Sequence, residues 1–211
     1  HSADVNLIKA LAIQTLPREA FEVILIDCTG YQRNSELIRT TAHELKDAIP
    51  LRAFKAHKGG RPFAHNIGLR LTATDKVIFL ASDFLPPNDF VETHLNFHLQ
   101  NTGTTNGAIA GAVFPERLRD SIFRRWLDDS GSLFGVSFVE TSQQLPANFF
   151  YTGNSSLKTA VLFEAGLFDE EFQADAWDDY EMGLRLSRQG VQFQYLPNIT
   201  CIHEHAVRLS E

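Results

Sequence analysis

Two aspartates stand where a predicted buried strand ends. Asp27 closes the β-branched run of residues 22–27, and Asp83 follows the apolar run of residues 76–81. The carboxyl ends of parallel strands in one sheet meet at a common crevice, where ligands of open α/β sheets bind. A single strand-end aspartate often only caps a turn, but the pair predicts one acidic ligand site.

Further residues capable of chemistry lie near the end of the sequence. Asp178 and Asp179 begin a helical pattern directly after Trp177. A carboxylate there can accept a proton from a hydroxyl group or only complement the helix dipole. His203 and His205 alternate along a predicted strand, so both rings point to one face, where they could bind a divalent ion.

The elements that must position these residues alternate between helix and strand. Apolar periodicity predicts helices at 5–13, 35–48, 62–72, 88–99, 122–128, 158–165 and 177–189, and strands at 22–27, 51–56, 76–81, 107–114, 192–196 and 199–203. Residues 153–156 are predicted to form a polar turn, and Gly190 to form a left-handed helix cap. This order predicts a single α/β domain whose sheet is mostly parallel and flanked by helices.

Composition excludes several classes of protein. With 19 Lys and Arg against 26 Asp and Glu, the net charge of -7 argues against a nucleic-acid binder. Apolar runs are too short for a transmembrane segment. The two cysteines, Cys28 and Cys201, have no metal-ligand spacing and favour a reducing, cytoplasmic location, with peripheral attachment to the inner membrane face left open.

The order of the motifs resembles the family two glycosyltransferases, which are inverting enzymes of GT-A (Rossmann-like) fold. The matching motifs are residues 14–17, 22–27, 64–68, 77–86, 153–156, 163–170, 177–190 and 197–203. The resemblance covers residues 4–205. It implies a nucleotide-sugar-binding half at 1–105 and an acceptor-binding half at 106–211.

The resemblance also implies an activity and roles for particular residues. A sugar would move with inversion from a nucleotide-diphosphate donor, expected to be a UDP-sugar, to a hydroxyl of a glycan, lipid or protein. Asp179 matches the general base, and Asp83 and His203 match ligands of Mn or Mg. Contacts to the donor are expected from Asp27, Cys28, Lys58, Arg61 and Asn66, and contacts to the acceptor from Trp177 and Asp178.

This sequence departs from the family pattern at four points. Cys28 stands where an acid often reads the base, Ala81 replaces the first acid of the metal-binding Asp-x-Asp signature, and His65 replaces an arginine. The family's first strand is expected directly before residue 1.

Three functions remain open at this point. Asp179 and His203 favour an active metal-dependent glycosyltransferase. Ala81 and Cys28 favour a GT-A-like module without turnover that binds or scaffolds within a larger synthase. A nucleotidyltransferase, which shares the sheet and the metal but works at the α-phosphate, is the third.

Overall fold

The structure, a computed structural model, describes residues 3–28, 32–56, 59–102, 105–131, 133–134, 144–172 and 177–207. Its helices are α1 (Ala3–Leu11), α2 (Gln32–Glu44), α3 (Arg61–Leu71), α4 (Phe90–Gln100), α5 (Ile122–Ser130), α6 (Thr159–Glu164) and α7 (Asp178–Arg188). Its strands are β1 (Val23–Asp27), β2 (Leu51–Lys55), β3 (Lys76–Leu80), β4 (Phe84–Leu85), β5 (Asn106–Ile109), β6 (Ala112–Val113), β7 (Gln144–Leu145), β8 (Asn154–Lys158), β9 (Gln192–Tyr195) and β10 (Cys201–His203). None of the described helices is long and apolar enough to cross a membrane.

The predicted α/β class is confirmed, and the periodic segments fold as helices and strands near their predicted positions. The β-branched runs form β1 and β3, and the acidic segment after Trp177 forms α7. Gly190 follows α7 with a φ of 87°, the left-handed conformation expected of a helix cap. The predicted strand at 107–114 is divided into β5 and β6.

Residues 153–156 are not the polar turn that their composition predicts. Asn154, Ser155 and Ser156 belong to β8, and all three are fully buried. The strand lies between β3 and β5 and runs antiparallel to both. The side chains of Asn154 and Ser156 are tolerated in this position because other parts of the chain satisfy their hydrogen bonds.

The sheets are mixed rather than mostly parallel. The five-stranded sheet has the order β3-β8-β5-β9-β7, in which only β5 and β9 pair in parallel. A second sheet has the order β4-β10-β6, and β1 pairs in parallel with β2 in a third. Because β8 reverses direction between β3 and β5, these two strands still run the same way.

A buried polar network joins α4 to β8. The His94 Nδ1 and His98 Nε2 atoms each lie 2.8 Å from Ser156 Oγ, and His94 Nε2 lies 3.1 Å from Asn154 Oδ1. Burial lowers the pKa of His94 to about 3 and that of His98 to about 4. Both rings are therefore neutral at pH 7.

A cavity of ≈ 770 Å³ lies between β1 and β3. Ile24 and Ile26 line one wall, Val77 and Phe79 line the other, and the cavity extends to the ends of both strands. Among the described residues, β1 pairs only with β2, and β3 is an edge strand.

We predict that acid destabilises the fold through His94 and His98. Because their folded-state pKa values lie below the unfolded value of 6.5, their full contribution to stability is present above pH 6.5 and is lost as pH falls toward 4. At pH 5 the loss is about 2 kcal/mol for each ring. Thermal melts between pH 7.5 and 5 should show Tm falling by several degrees.

The variant His98→Gln should reduce the dependence of Tm on pH because it removes one of these groups. His43→Gln, at an exposed position of α2, is the matched control and should leave the dependence unchanged. Equal slopes in the two variants would contradict the assignment.

Candidate active site

The carboxyl ends of β1 and β3 open into the same cavity. Cys28, which follows β1, is exposed and lines the cavity together with Ser82 and Asp83, which follow β3. Asp27 is buried. The crevice predicted for Asp27 and Asp83 is thus lined by Asp83 and by Cys28, the residue that follows Asp27.

Asp83 and His203 meet where β4 and β10 pair. His203 pairs with Phe84 in this antiparallel ladder, and the backbone N–H of Glu204 donates to the Asp83 carbonyl oxygen at 2.8 Å. Asp83 Oδ2 lies 3.2 Å from His203 Nε2. Burial acts to raise the pKa of Asp83, but the hydrogen bond and charge of His203 outweigh burial and lower it.

This pair fits a divalent metal ion. Carboxylate oxygen and imidazole nitrogen are donors that Mn accepts, and a carboxylate with phosphate oxygens suits Mg. Among the described residues, the Nδ1 atom of His203 is buried without a hydrogen-bond partner. Nε2 is the ring nitrogen that faces Asp83, so it is the atom that could share an ion with that carboxylate.

The acidic start of α7 is positioned by close packing. Only a glycine fits at position 183, because a Cβ there would lie 2.4 Å from the carbonyl oxygen of Ala147. The residue before α7, Trp177, has a φ of 74°, which is uncommon for a bulky side chain. Its indole is 71% exposed and contacts Tyr180 edge to face. The N-terminus of α7 thus presents an aromatic surface to solvent.

The two aspartates at the start of α7 have different surroundings. The side chain of Asp178 is fully buried, whereas that of Asp179 is 16% exposed and lines the cavity. Thr152 Oγ1 donates a hydrogen bond to Asp179 Oδ1 at 2.9 Å. Burial and the nearby charge of Asp178 raise the pKa of Asp179 more than Arg61 and Thr152 lower it. Asp179 is thus the carboxylate that a bound ligand can reach.

Arg61, at the start of α3, pairs with both aspartates. Its Nε donates to Asp178 Oδ2 at 3.2 Å, its Nη2 donates to Asp178 Oδ1, and the same Nη2 lies 3.4 Å from Asp179 Oδ2. Gly59 allows this turn with a φ of 104°, and a Cβ there would clash with the ring of Phe63. Arg61, predicted to contact donor phosphate, thus lies at the acidic start of α7.

His65 lies one turn after Arg61 on α3 and completes a compact polar group with the two aspartates. Its ligating nitrogen and one oxygen from each of Asp178 and Asp179 lie within 4.8 Å of one another. Arg61 already pairs with both carboxylates, so we interpret the group as an ion-paired cluster. Burial and Arg61 lower the pKa of His65 to about 4, which keeps the ring neutral at pH 7.

Several predicted contacts have other surroundings in the structure. Asn66 was expected at the donor but is buried, and its Nδ2 donates at 2.8 Å to both the Phe168 carbonyl and Glu170 Oε1. Its Oδ1 accepts from the Phe168 N–H at 2.9 Å. Asp178, expected at the acceptor, is covered by protein. Lys58 lies outside the described residues.

Sequence reasoning missed the contribution of Thr152 and the partnership of Arg61 with the aspartates. Thr152 directly precedes the segment interpreted as a turn, and no local pattern marked it. Arg61 and Asp178 are 117 residues apart. A basic residue at the start of α3 could have been matched to the acidic start of α7 by charge, but not by spacing.

Comparisons with known proteins agree with this fold. No family model matches the sequence. The glycosyltransferase YfnE of Bacillus subtilis is 37% identical over 232 residues, which cover 88% of this chain and 57% of that protein. Among the curated relatives, the chain spans about half of YfnE and of a validoxylamine A glucosyltransferase from Streptomyces hygroscopicus, and 21% of the Pasteurella multocida hyaluronan synthase.

Two solved structures share the architecture at low sequence identity. S. aureus TarS in complex with UDP-GlcNAc superposes with a TM-score of 0.72 at 14% identity, covering 99% of this chain and 57% of that one. The mannosyltransferase PcManGT of Pyrobaculum calidifontis, in complex with GDP-Man and Mn²⁺, gives 0.69 at 18% identity, covering 99% and 54%.

We predict that Asn66→Ala lowers stability and spares nucleotide binding. The change leaves the buried N–H and carbonyl of Phe168 without their partner, at a cost of about 1 to 3 kcal/mol. Denaturant unfolding measures this cost, and titration with UDP or GDP measures affinity. Gln189→Ala, which removes one exposed hydrogen bond, is the control. Unchanged stability with weaker nucleotide binding would restore the donor-contact role.

Proposed function

Since the chain belongs to the glycosyltransferases of GT-A fold, we propose that it transfers a sugar from a nucleotide-diphosphate donor to an acceptor hydroxyl with inversion. One observation carries the proposal beyond the family. Asp83, which can hold a metal ion, follows the end of β3, and at that strand end the Ala81 N–H donates to the Gly153 carbonyl oxygen at 3.0 Å. Thr152, the neighbour of Gly153, binds Asp179, which can take a proton. The two carboxylates that such a transfer needs are thus both attached to the end of β3.

The donor end of the site is proposed at the carboxyl ends of β1 and β3. Asp83 and His203 would hold Mn or Mg, which stabilises the charge that develops on the pyrophosphate leaving group. Two structural neighbours bind UDP-GlcNAc and GDP-Man respectively, so the fold accommodates either base. Cys28, exposed at the end of β1, is proposed to contact the nucleoside, and the buried Asp27 before it to support that turn.

The acceptor end is proposed at the start of α7. Asp179 accepts the proton of the attacking hydroxyl, which adds to the anomeric carbon on the face opposite the nucleotide. A carboxylate with a raised proton affinity is the better general base. The exposed indole of Trp177 offers an apolar face on which an acceptor sugar can stack. The hydroxyl would come from a glycan, lipid or protein.

Asp178 is not proposed to contact the acceptor, although the sequence resemblance implies that contact. Its side chain is fully buried and bound by Arg61, so it does not reach an acceptor. In the proposed reaction the charge of Asp178 helps to raise the pKa of Asp179.

A binding module without turnover is the second candidate, favoured by the weakened metal signature. Ala81 precedes Asp83 where the family has a second carboxylate, which leaves one acidic ligand. Such a module would bind nucleotide sugars without transferring them.

We predict that a divalent ion strengthens nucleotide-diphosphate binding through Asp83. The acidic protein needs a cation beside the pyrophosphate. Titrations of UDP and GDP with and without Mn should show tighter binding with Mn, and Asp83→Asn should abolish most of the difference. Asp89→Asn, an exposed acid a few residues later, is the matched control. An unchanged Mn effect in Asp83→Asn would refute the metal assignment.

We predict that Asp179→Asn separates binding from transfer. The amide keeps the shape and can still pair with Thr152, so the melting temperature and donor affinity should stay close to those of the parent. Transfer should fall by roughly 10² to 10⁴, the usual contribution of a general base. Product formation from UDP- and GDP-sugars with mixed acceptors measures it, and Asp129→Asn on the surface of α5 is the control.

The transfer assays of the parent and of Asp179→Asn distinguish the enzyme from the binding module. Normal turnover of Asp179→Asn would refute the base assignment. Nucleotide-sugar binding by the parent without any transfer would favour the binding module.

A further inference from the structure

Arg61 pairs with the carboxylates of two neighbouring residues of α7, Asp178 and Asp179. Two of its nitrogens engage the buried Asp178, and one of them also faces Asp179. The side chain of Arg61 is 34% exposed and lines the cavity, so it lies at the edge of the cavity rather than in bulk solvent. The planar guanidinium fork can donate from two nitrogens to one carboxylate, which a lysine ammonium group cannot reproduce.

We propose that Arg61 is a positioning residue for Asp179: the buried Asp178 fixes the guanidinium, and the guanidinium fixes the orientation and the charge of the Asp179 carboxylate. This inference rests on the proposed function, in which Asp179 is the general base. It gives Arg61 a role at the acceptor end of the reaction and not at the donor phosphates.

The burial of Asp178 makes the arrangement rigid. A carboxylate with no exposed surface is strongly destabilising unless it is paired, so Arg61 cannot leave Asp178 without a large cost. An arginine that bound the pyrophosphate would have to leave or share this partner. The geometry therefore favours a guanidinium that stays on the aspartates throughout the reaction.

Thr152 fixes the other oxygen of Asp179. The Thr152 hydroxyl donates to Oδ1 at 2.9 Å, while Arg61 faces Oδ2 at 3.4 Å. The carboxylate is thus held from β8 and from α3 at once. Small changes on either side would rotate it relative to an attacking hydroxyl, to which a general base must lie within hydrogen-bond distance.

The charged and titratable groups around Asp179 come from three elements. Arg61 and the neutral His65 face the cluster from α3, Asp178 faces it from α7, and Tyr151 approaches from the segment before β8. Arg61 is the cation among the groups that shift the pKa of Asp179. Its removal disfavours the ionised carboxylate, so the acid limb of the rate profile should move to higher pH.

The test is the pH profile of transfer in Arg61→Gln. The amide can still donate to buried Asp178 but carries no charge. We expect the acid limb of kcat to rise by about one pH unit, a lower kcat at pH 6 and unchanged affinity for UDP or GDP with Mn. Arg70→Gln, on the exposed face of the same helix, is the matched control and should change none of these.

Arg61→Lys keeps the positive charge but loses the fork. It should fold, retain an acid limb close to that of the parent and still lower kcat, since orientation depends on the fork. If Arg61→Gln does not fold, Arg61→Lys tests the proposal instead, through measurements of its kcat and its affinity for nucleotide.

A second readout does not require turnover. The carboxyl ¹³C resonance of Asp179, assigned by its loss in Asp179→Asn, should titrate at higher pH in Arg61→Gln than in the parent. If Asp179 titrates at higher pH in Arg61→Gln but the parent transfers no sugar, then Arg61 does control the protonation of Asp179 and the proposed function fails. An unshifted titration together with nucleotide affinity at least tenfold weaker would overturn the proposal and make Arg61 a phosphate contact.

Discussion

Asn154 is fully buried between β3 and β5, and its side chain must find every hydrogen-bond partner inside the protein. Its amide nitrogen donates to the carbonyl oxygens of Gly111 and Ile199, at 3.0 and 3.1 Å. Its carbonyl oxygen lies 3.1 Å from a ring nitrogen of His94. One side chain therefore ties β8 to the turn before β6, to the approach to β10 and to α4.

The candidate site depends on the same anchoring. Thr152, two residues before Asn154, holds one oxygen of Asp179, and the strand that follows Ile199 delivers His203 to Asp83. The proposed acceptor and donor ends are thus attached to one buried polar centre. A displacement of β8 would disturb both, because Thr152 and Asn154 are hydrogen-bonded to Asp179 and to Ile199 respectively.

Much of this architecture follows from sequence patterns, and the rest depends on distant partners. The apolar runs of β1 and β3 and the periodicity of α7 are local signals, as is the glycine that ends α7. Asn154 and Ser156 have a composition typical of a turn, but distant residues satisfy their side chains in a buried strand, among them His94, which lies 60 residues away from Asn154. No local pattern encodes such a partnership.

The site divides in the same way. Strand-end positions predict that Asp27 and Asp83 share a crevice. In the structure Asp83 lines the crevice together with Cys28, whereas Asp27 is buried. The burial of Asp178 depends on Arg61, which lies 117 residues earlier, and Asn66 is drawn into the interior by the Phe168 backbone. Asp178 and Asn66 are thus positioned by an ion pair and by hydrogen bonds to residues that are distant in the sequence.

Adjacent aspartates at the start of a helix point about 100° apart around the axis, so they differ in burial even when they share a partner. Asp178 turns inward and binds Arg61, whereas Asp179 turns to the cavity. Burial and the nearby carboxylate raise the proton affinity of Asp179, and the arginine that neutralises Asp178 limits that rise. An apolar residue in place of Asp178 would leave Arg61 without its main anchor. The buried charge, costly for the fold, thereby sets both the position and the proton affinity of the carboxylate beside it.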